Sequence, residues 1–112
     1  MKKFILEIDP RTKSISKVEF NEEFVGLETL YKSLECDYVD RVVLNDTLDL
    51  WVDDEGLINN ASERIGYFNV GDNEAYQFVG KGLICGYTQE GENIPIEEDE
   101  ADWVIKNLTL TF

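Results

Sequence analysis

Apolar residues in this chain recur mostly in short alternating runs, and polar turns interrupt them every few residues. That pattern restricts the chain to a fold dominated by paired strands. Phe4, Ile5, Leu6 and Ile8 make a first strand, and Asp9-Pro10-Arg11-Thr12 has the composition of a turn. Ile15, Val18 and Phe20 mark a second strand over 14–20 that pairs with the first. Tyr38 to Leu44 alternates, Asn45-Asp46-Thr47 breaks the pattern, and Leu48 to Asp53 resumes it, which is a second hairpin. One side of its return strand is aliphatic, while the other holds Trp51 between Asp49 and Asp53, so that indole is expected to be partly exposed. Tyr67 to Val70 and Tyr76 to Val79 are β-like, with Gly71-Asp72-Asn73-Glu74 between them. Leu83 to Thr88 reads as the central strand, and Pro95 between Ile94 and Ile96 confines that strand to an edge.

Two segments carry a helical period instead. Phe24, Leu27, Leu30, Tyr31 and Leu34 share one face, with Asn21 as the expected cap, Glu22 and Glu23 at the positive end of the dipole, and an end near Glu35. A second helix is expected from Glu97 to Asn107, with Ala101, Val104, Ile105 and Leu108 as its inner stripe. A short helix through Ile65 is expected to start at Asn59 or Asn60, and Thr109 to Phe112 forms a last strand. The predicted class is α+β: a mainly antiparallel sheet of about five to seven strands, with two main helices packed on one face. Residues 1–112 are expected to form a single domain.

Charge narrows the functional classes. The chain has 24 Asp and Glu against 10 Lys and Arg, a formal charge of −14, and no His. Leu, Ile, Val and Phe nevertheless make up nearly a third of it, well above the roughly 20% of disordered acidic chains. Residues 1–20 carry a net +2, so the remainder carries −16. A polyanion needs a basic footprint, so direct binding of nucleic acid is not expected, and anionic membranes are disfavoured for the same reason. A basic protein surface is the partner that such a charge attracts. No apolar run is long enough for a membrane span, and Glu7 and Asp9 interrupt the apolar N-terminus too early for a signal peptide, so a cytoplasmic protein is expected.

Catalytic and metal signatures are weak. With no His, neither Cys36 nor Cys85 has an imidazole to activate it, and both are expected as reduced, packed thiols. Gly80-Lys81-Gly82 is too short for a phosphate cradle. Asp49-Leu50-Trp51-Val52-Asp53 lacks the middle ligand of a calcium loop, so no metal and no cofactor is expected. The turn Asp53-Asp54-Glu55 reads first as a solvated loop that lifts Asn59-Asn60-Ala61 into place.

The densest charge lies between Glu90 and Asp102, where seven of thirteen residues are acidic: Glu90, Glu92, Glu97, Glu98, Asp99, Glu100 and Asp102. Carboxylates spaced in this way along a turn and a helix suit a basic groove that ordinarily holds phosphates. The ordinary reading is a helix N-terminus stabilised by its dipole, with solubilising charge. Trp103 lies one position off the inner stripe; core packing is its ordinary reading, and an apolar anchor for a partner is the other.

Taken together, these segments resemble a group of small proteins of bacteriophages and mobile elements described only as a domain of unknown function. The group carries a Leu-x-x-Leu-Tyr-x-x-Leu helix, a Tyr-Val-x-x-Val strand and an Asp-Glu-Gly turn before an Asn-x-Ala segment. A late glycine-rich strand and an acidic C-terminal helix follow. Here those features are Leu27 to Leu34, Tyr38 to Val43, Asp54-Glu55-Gly56, Asn59-Asn60-Ala61, Val79 to Ile84 with Gly91, and Ile96 to Leu108. The likeness covers residues 24–108. Where the group usually has a proline-and-asparagine segment, this chain has Leu57-Ile58, so either Asn59 or Asn60 is the matching residue. The resemblance implies an accessory or counter-defence role and names no reaction.

The expectation is therefore a non-enzymatic acidic protein that binds and blocks a basic surface of a host nucleic-acid-processing or defence protein. Glu90, Glu92, Glu97 to Glu100, Asp102 and Trp103 are its contact residues. The alternative is a nucleotide-binding or sequestering protein that uses Trp51 or Tyr67 for stacking and Asp54, Glu55, Asn59, Asn60 and Lys81 for polar contacts. A plain oligomer-forming accessory protein is a third possibility.

Overall fold

The hairpins expected from the alternation all form in the computed structural model, which describes residues 2–71 and 76–112. β1 (Lys3–Asp9) pairs antiparallel with β2 (Ser14–Glu19), and β3 (Val39–Val43) with β4 (Leu48–Asp53). β5 (Tyr67–Val70) pairs with β6 (Gln77–Val79); the expected turn at 72–74 lies outside the described residues. β7 (Gly82–Tyr87) is the centre, flanked by β1 and β4, so the main sheet runs β2-β1-β7-β4-β3. Pro95 splits the late strand into β8 (Asn93–Ile94), which pairs with β7, and β9 (Ile96–Glu97), which pairs with β1. β10 (Leu110–Thr111) joins β5 and β6 in a smaller sheet, β10-β5-β6.

Three helices complete an α+β fold: α1 (Leu27–Leu34), the one-turn α2 (Ala61–Arg64) and α3 (Glu98–Asn107). The two longer ones were expected on one face. They lie on opposite faces. Leu83, Ile84 and Cys85 are consecutive residues of β7 and all are fully buried, and consecutive strand residues point to opposite sides, so both sides of the sheet need cover. Ile5, Leu83 and Cys85 pack with Leu30 and Leu34 of α1. Leu6, Leu50 and Ile84 pack on the other side with Phe68 of β5 and with Ala101 and Val104 of α3.

Local starts differ from the pattern in two places. α1 begins after Gly26 rather than after Asn21, because the preceding segment is extended: Gly26 has φ −88° and ψ 169°, and the Val25 N–H donates to the Asn93 carbonyl. That bond ties the segment to β8 and removes Phe24 from the helix face. In α3, Ala101 and Val104 are buried as expected, but Ile105 is exposed, and Trp103 projects with 60% of its surface accessible.

Candidate functional site

The acidic C-terminal run folds into two patches. Glu97 caps α3 in an extended conformation, and Glu98, Asp99 and Glu100 occupy its first turn, where the helix dipole favours them. Ala101 and Val104 face the core, which turns Asp99, Asp102 and Trp103 outward. Asp99 and Trp103, four residues apart, stand on one side of the helix. Glu92, in contrast, lines a depression with Phe24, Gly26 and Leu27 at the entry to α1, on the other face of the sheet.

The basic N-terminal hairpin lies against α3. Lys17 of β2 pairs with Glu98 at 2.8 Å and Asp102 at 2.9 Å, and Lys3 of β1 pairs with Glu97 at 3.4 Å. The two hydrogen-bonded carboxylates raise the pKa of Lys17. These contacts neutralise part of the cluster and leave Asp99 without an ion-pair partner among the described residues. Glu100 accepts a long hydrogen bond from the Thr47 hydroxyl, 3.5 Å.

The acidic turn after β4 is exposed to solvent at Asp54, Leu57 and Ile58, as expected, and hydrogen bonds tie its two ends. Asp53 is nearly buried; its Oδ1 accepts the Glu55 N–H at 2.8 Å and its Oδ2 accepts Nδ2 of Asn59 at 2.7 Å. Asn59 Oδ1 in turn accepts the Ala61 N–H at 3.0 Å, at the start of α2. Asn60 makes no side-chain cap; it supplies a left-handed backbone, φ 64°. Asn59 is therefore the residue that organises this segment. Gly56 brings the loop against β6, where any Cβ would sit 3.0 Å from Val79. Asp54, Glu55, Leu57 and Ile58 then line a cleft of about 370 Å³ with Asp40 of β3 and Phe78 of β6.

The residues expected to hold a nucleotide are not brought together. Trp51 lies under α1 with its Nε1 buried and without a partner among the described residues. Lys81 is nearly covered and pairs with Glu35 at 3.7 Å and Glu7 at 4.0 Å. Asp54 and Glu55 line the cleft beside β6, and Asn59 is engaged in its own loop. Among the described residues, no group of three or more His, Cys, Asp or Glu is placed to hold a metal ion, and no helix is long and apolar enough to cross a membrane.

Two features escaped the sequence reading. Asp49, expected on an open strand face, has no accessible surface. It accepts from Arg41 Nε at 2.8 Å and from Asn93 Nδ2 at 2.8 Å, and Arg41 stacks on the Tyr87 ring at 4.2 Å. Its only sequence signal is an acid at an alternating position of a strand. The second is the display of Leu57 and Ile58, two aliphatic side chains inside a polar turn, exposed by 74% and 77%.

The fold and these surfaces define a small acidic α+β domain whose charge is only partly neutralised by its own cations. Residues 1–109 match the family described as domain of unknown function DUF3846, and the chain belongs to that family. No curated protein and no solved structure matches it.

Proposed function

We propose that the protein is a non-enzymatic acidic interaction protein of phage or mobile-element type, acting in the cytoplasm. It binds a basic surface of a host nucleic-acid-processing or defence protein and blocks it. The observation that carries this reading is Trp103, 60% exposed on the outward side of α3 one turn from Asp99, which has no ion-pair partner among the described residues. An exposed indole beside a carboxylate supplies an apolar anchor and an electrostatic guide in one patch. Internal pairing cannot remove the excess of 14 negative charges, so the molecule as a whole attracts cationic surfaces. Glu92 adds a carboxylate on the α1 side of the sheet, and Glu90 is exposed in the turn that precedes it.

The test is retention of host-lysate proteins at low salt, followed by elution with rising salt. Screening should release the partner between about 0.1 and 0.5 M salt, and Asp99→Lys with Trp103→Ala should abolish its capture. Capture that is indifferent to salt, or intact in the double variant, sinks the reading.

A further inference from the structure

Leu57 and Ile58 are among the most exposed large apolar side chains of the described residues, and they are held in place rather than loose. Asp53 and Asn59 fix the two ends of their loop through the 2.8, 2.7 and 3.0 Å hydrogen bonds above. The Ile58 and Asn59 N–H groups both donate to the Glu55 carbonyl at 3.0 Å, and the Ala61 N–H donates to the Gly56 carbonyl at 2.9 Å. A loop ordered by a nearly buried carboxylate, yet presenting two aliphatic side chains to water, has lost its conformational entropy before any partner arrives. Asp40, Asp54 and Glu55 are among the residues that line the cleft they border, and no cation lines it among the described residues.

We propose that this cleft between β3, the 54–58 loop and β6 is a second docking site. Its occupant is a segment of a partner protein with an apolar side chain flanked by Lys or Arg. The apolar residue packs between Leu57, Ile58 and Phe78, and the cations meet Asp40, Asp54 and Glu55. Charge complementarity selects this occupant over a second copy of the chain, which would set acid against acid at a net −14 per molecule. The site lies at the β3 end of the sheet, whereas α3 packs over β1 and β2 at the other, so it stands or falls independently of the α3 surface.

The probe is a randomised twelve-residue peptide library displayed on yeast. It is selected on the wild-type protein and counter-selected on Leu57→Ser/Ile58→Ser, whose exposed positions should leave the fold intact, as circular dichroism would check. Enriched peptides should pair an aliphatic or aromatic residue with Lys or Arg. They should bind the double-serine variant at least tenfold more weakly, and shift amide resonances of 54–58 and 77–79. Binding to Asp99→Lys/Trp103→Ala should be unchanged. The proposal is overturned if no peptide is enriched, or if enriched peptides lack cations or bind the serine variant equally. Resonance shifts confined to α3, or wild-type dimers that the serine substitutions dissolve in sedimentation, would also overturn it.

Discussion

Asn59 donates to Asp53 across the turn that follows β4, with 2.7 Å between Nδ2 and Oδ2, and so closes a loop whose outer residues are apolar. The same asparagine accepts the first N–H of α2 through Oδ1. One side chain thus joins the end of a strand of the main sheet to the start of the helix that leads into the small sheet. Asn59→Ala should cost about 2 kcal/mol in urea unfolding, since it strips a hydrogen bond from a nearly buried carboxylate. Asn60→Gly should stay within about 0.5 kcal/mol of wild type, because that position supplies only a left-handed backbone. The reverse order of effects would reassign the hub.

Gly82 opens β7 beneath Phe68. A Cβ there would sit 2.8 Å from Phe68 Cζ and 3.1 Å from Leu50 Cδ1. Gly82→Ala is expected to lower stability by about 2 kcal/mol through overpacking, and Phe68→Leu should relieve part of that loss. Calorimetric melting of the single and double variants checks both statements.

Glu35 ends α1 with a left-handed backbone, and its carboxylate meets Arg11 and Lys81. The Arg11 hydrogen bond lowers its pKa more than burial raises it. For Asp9, burial pushes upward, but the side-chain and backbone hydrogen bonds from Arg11 outweigh it and the pKa is lowered. Depressed carboxyl values stabilise the fold above the unfolded pKa, near 4, and that contribution fades as pH falls through the folded values. Arg11→Gln should therefore be less stable than wild type at about pH 7, and the gap should close towards about pH 2. A gap that widened in acid would contradict the assignment.

Burial pushes the Cys85 thiol up to about 12 and that of Cys36 up to about 11, with Asp49 and Asp53 adding to the respective shifts. Thiolate is the reactive species, so at about pH 8 both should resist a disulfide reagent in the folded state. Both should react within seconds in denaturing urea. Rapid labelling of Cys85 in the native protein would contradict its burial, and rapid labelling of the half-buried Cys36 would contradict its raised pKa.

The alternation of Tyr38–Leu44 and Leu48–Asp53 around Asn45-Asp46-Thr47 located β3 and β4, because a hairpin is written within one short stretch of chain. The acid-rich first turn and the Ala101/Val104 stripe located α3 for the same reason. The start of α1 was misplaced because Val25 is held by Asn93, a contact between residues far apart in the chain. The two candidate surfaces were only half legible: the acids and Trp103 were visible as residues, but not which of them Lys3 and Lys17 would cover.

Local order alone determined that this chain would be an acidic, strand-rich α+β protein ending in a carboxylate-capped helix, since periods of two and of 3.6 residues are properties of neighbouring residues. Tertiary structure decided that α1 and α3 take opposite faces, that Asp49 is enclosed, and that Leu57 and Ile58 face water. The third follows from the Asp53–Asn59 hydrogen bond that closes the loop, and the first two from the insertion of β7 between β1 and β4. That pairing spans most of the chain and sets which side of each strand is covered, and no short-range pattern encodes it.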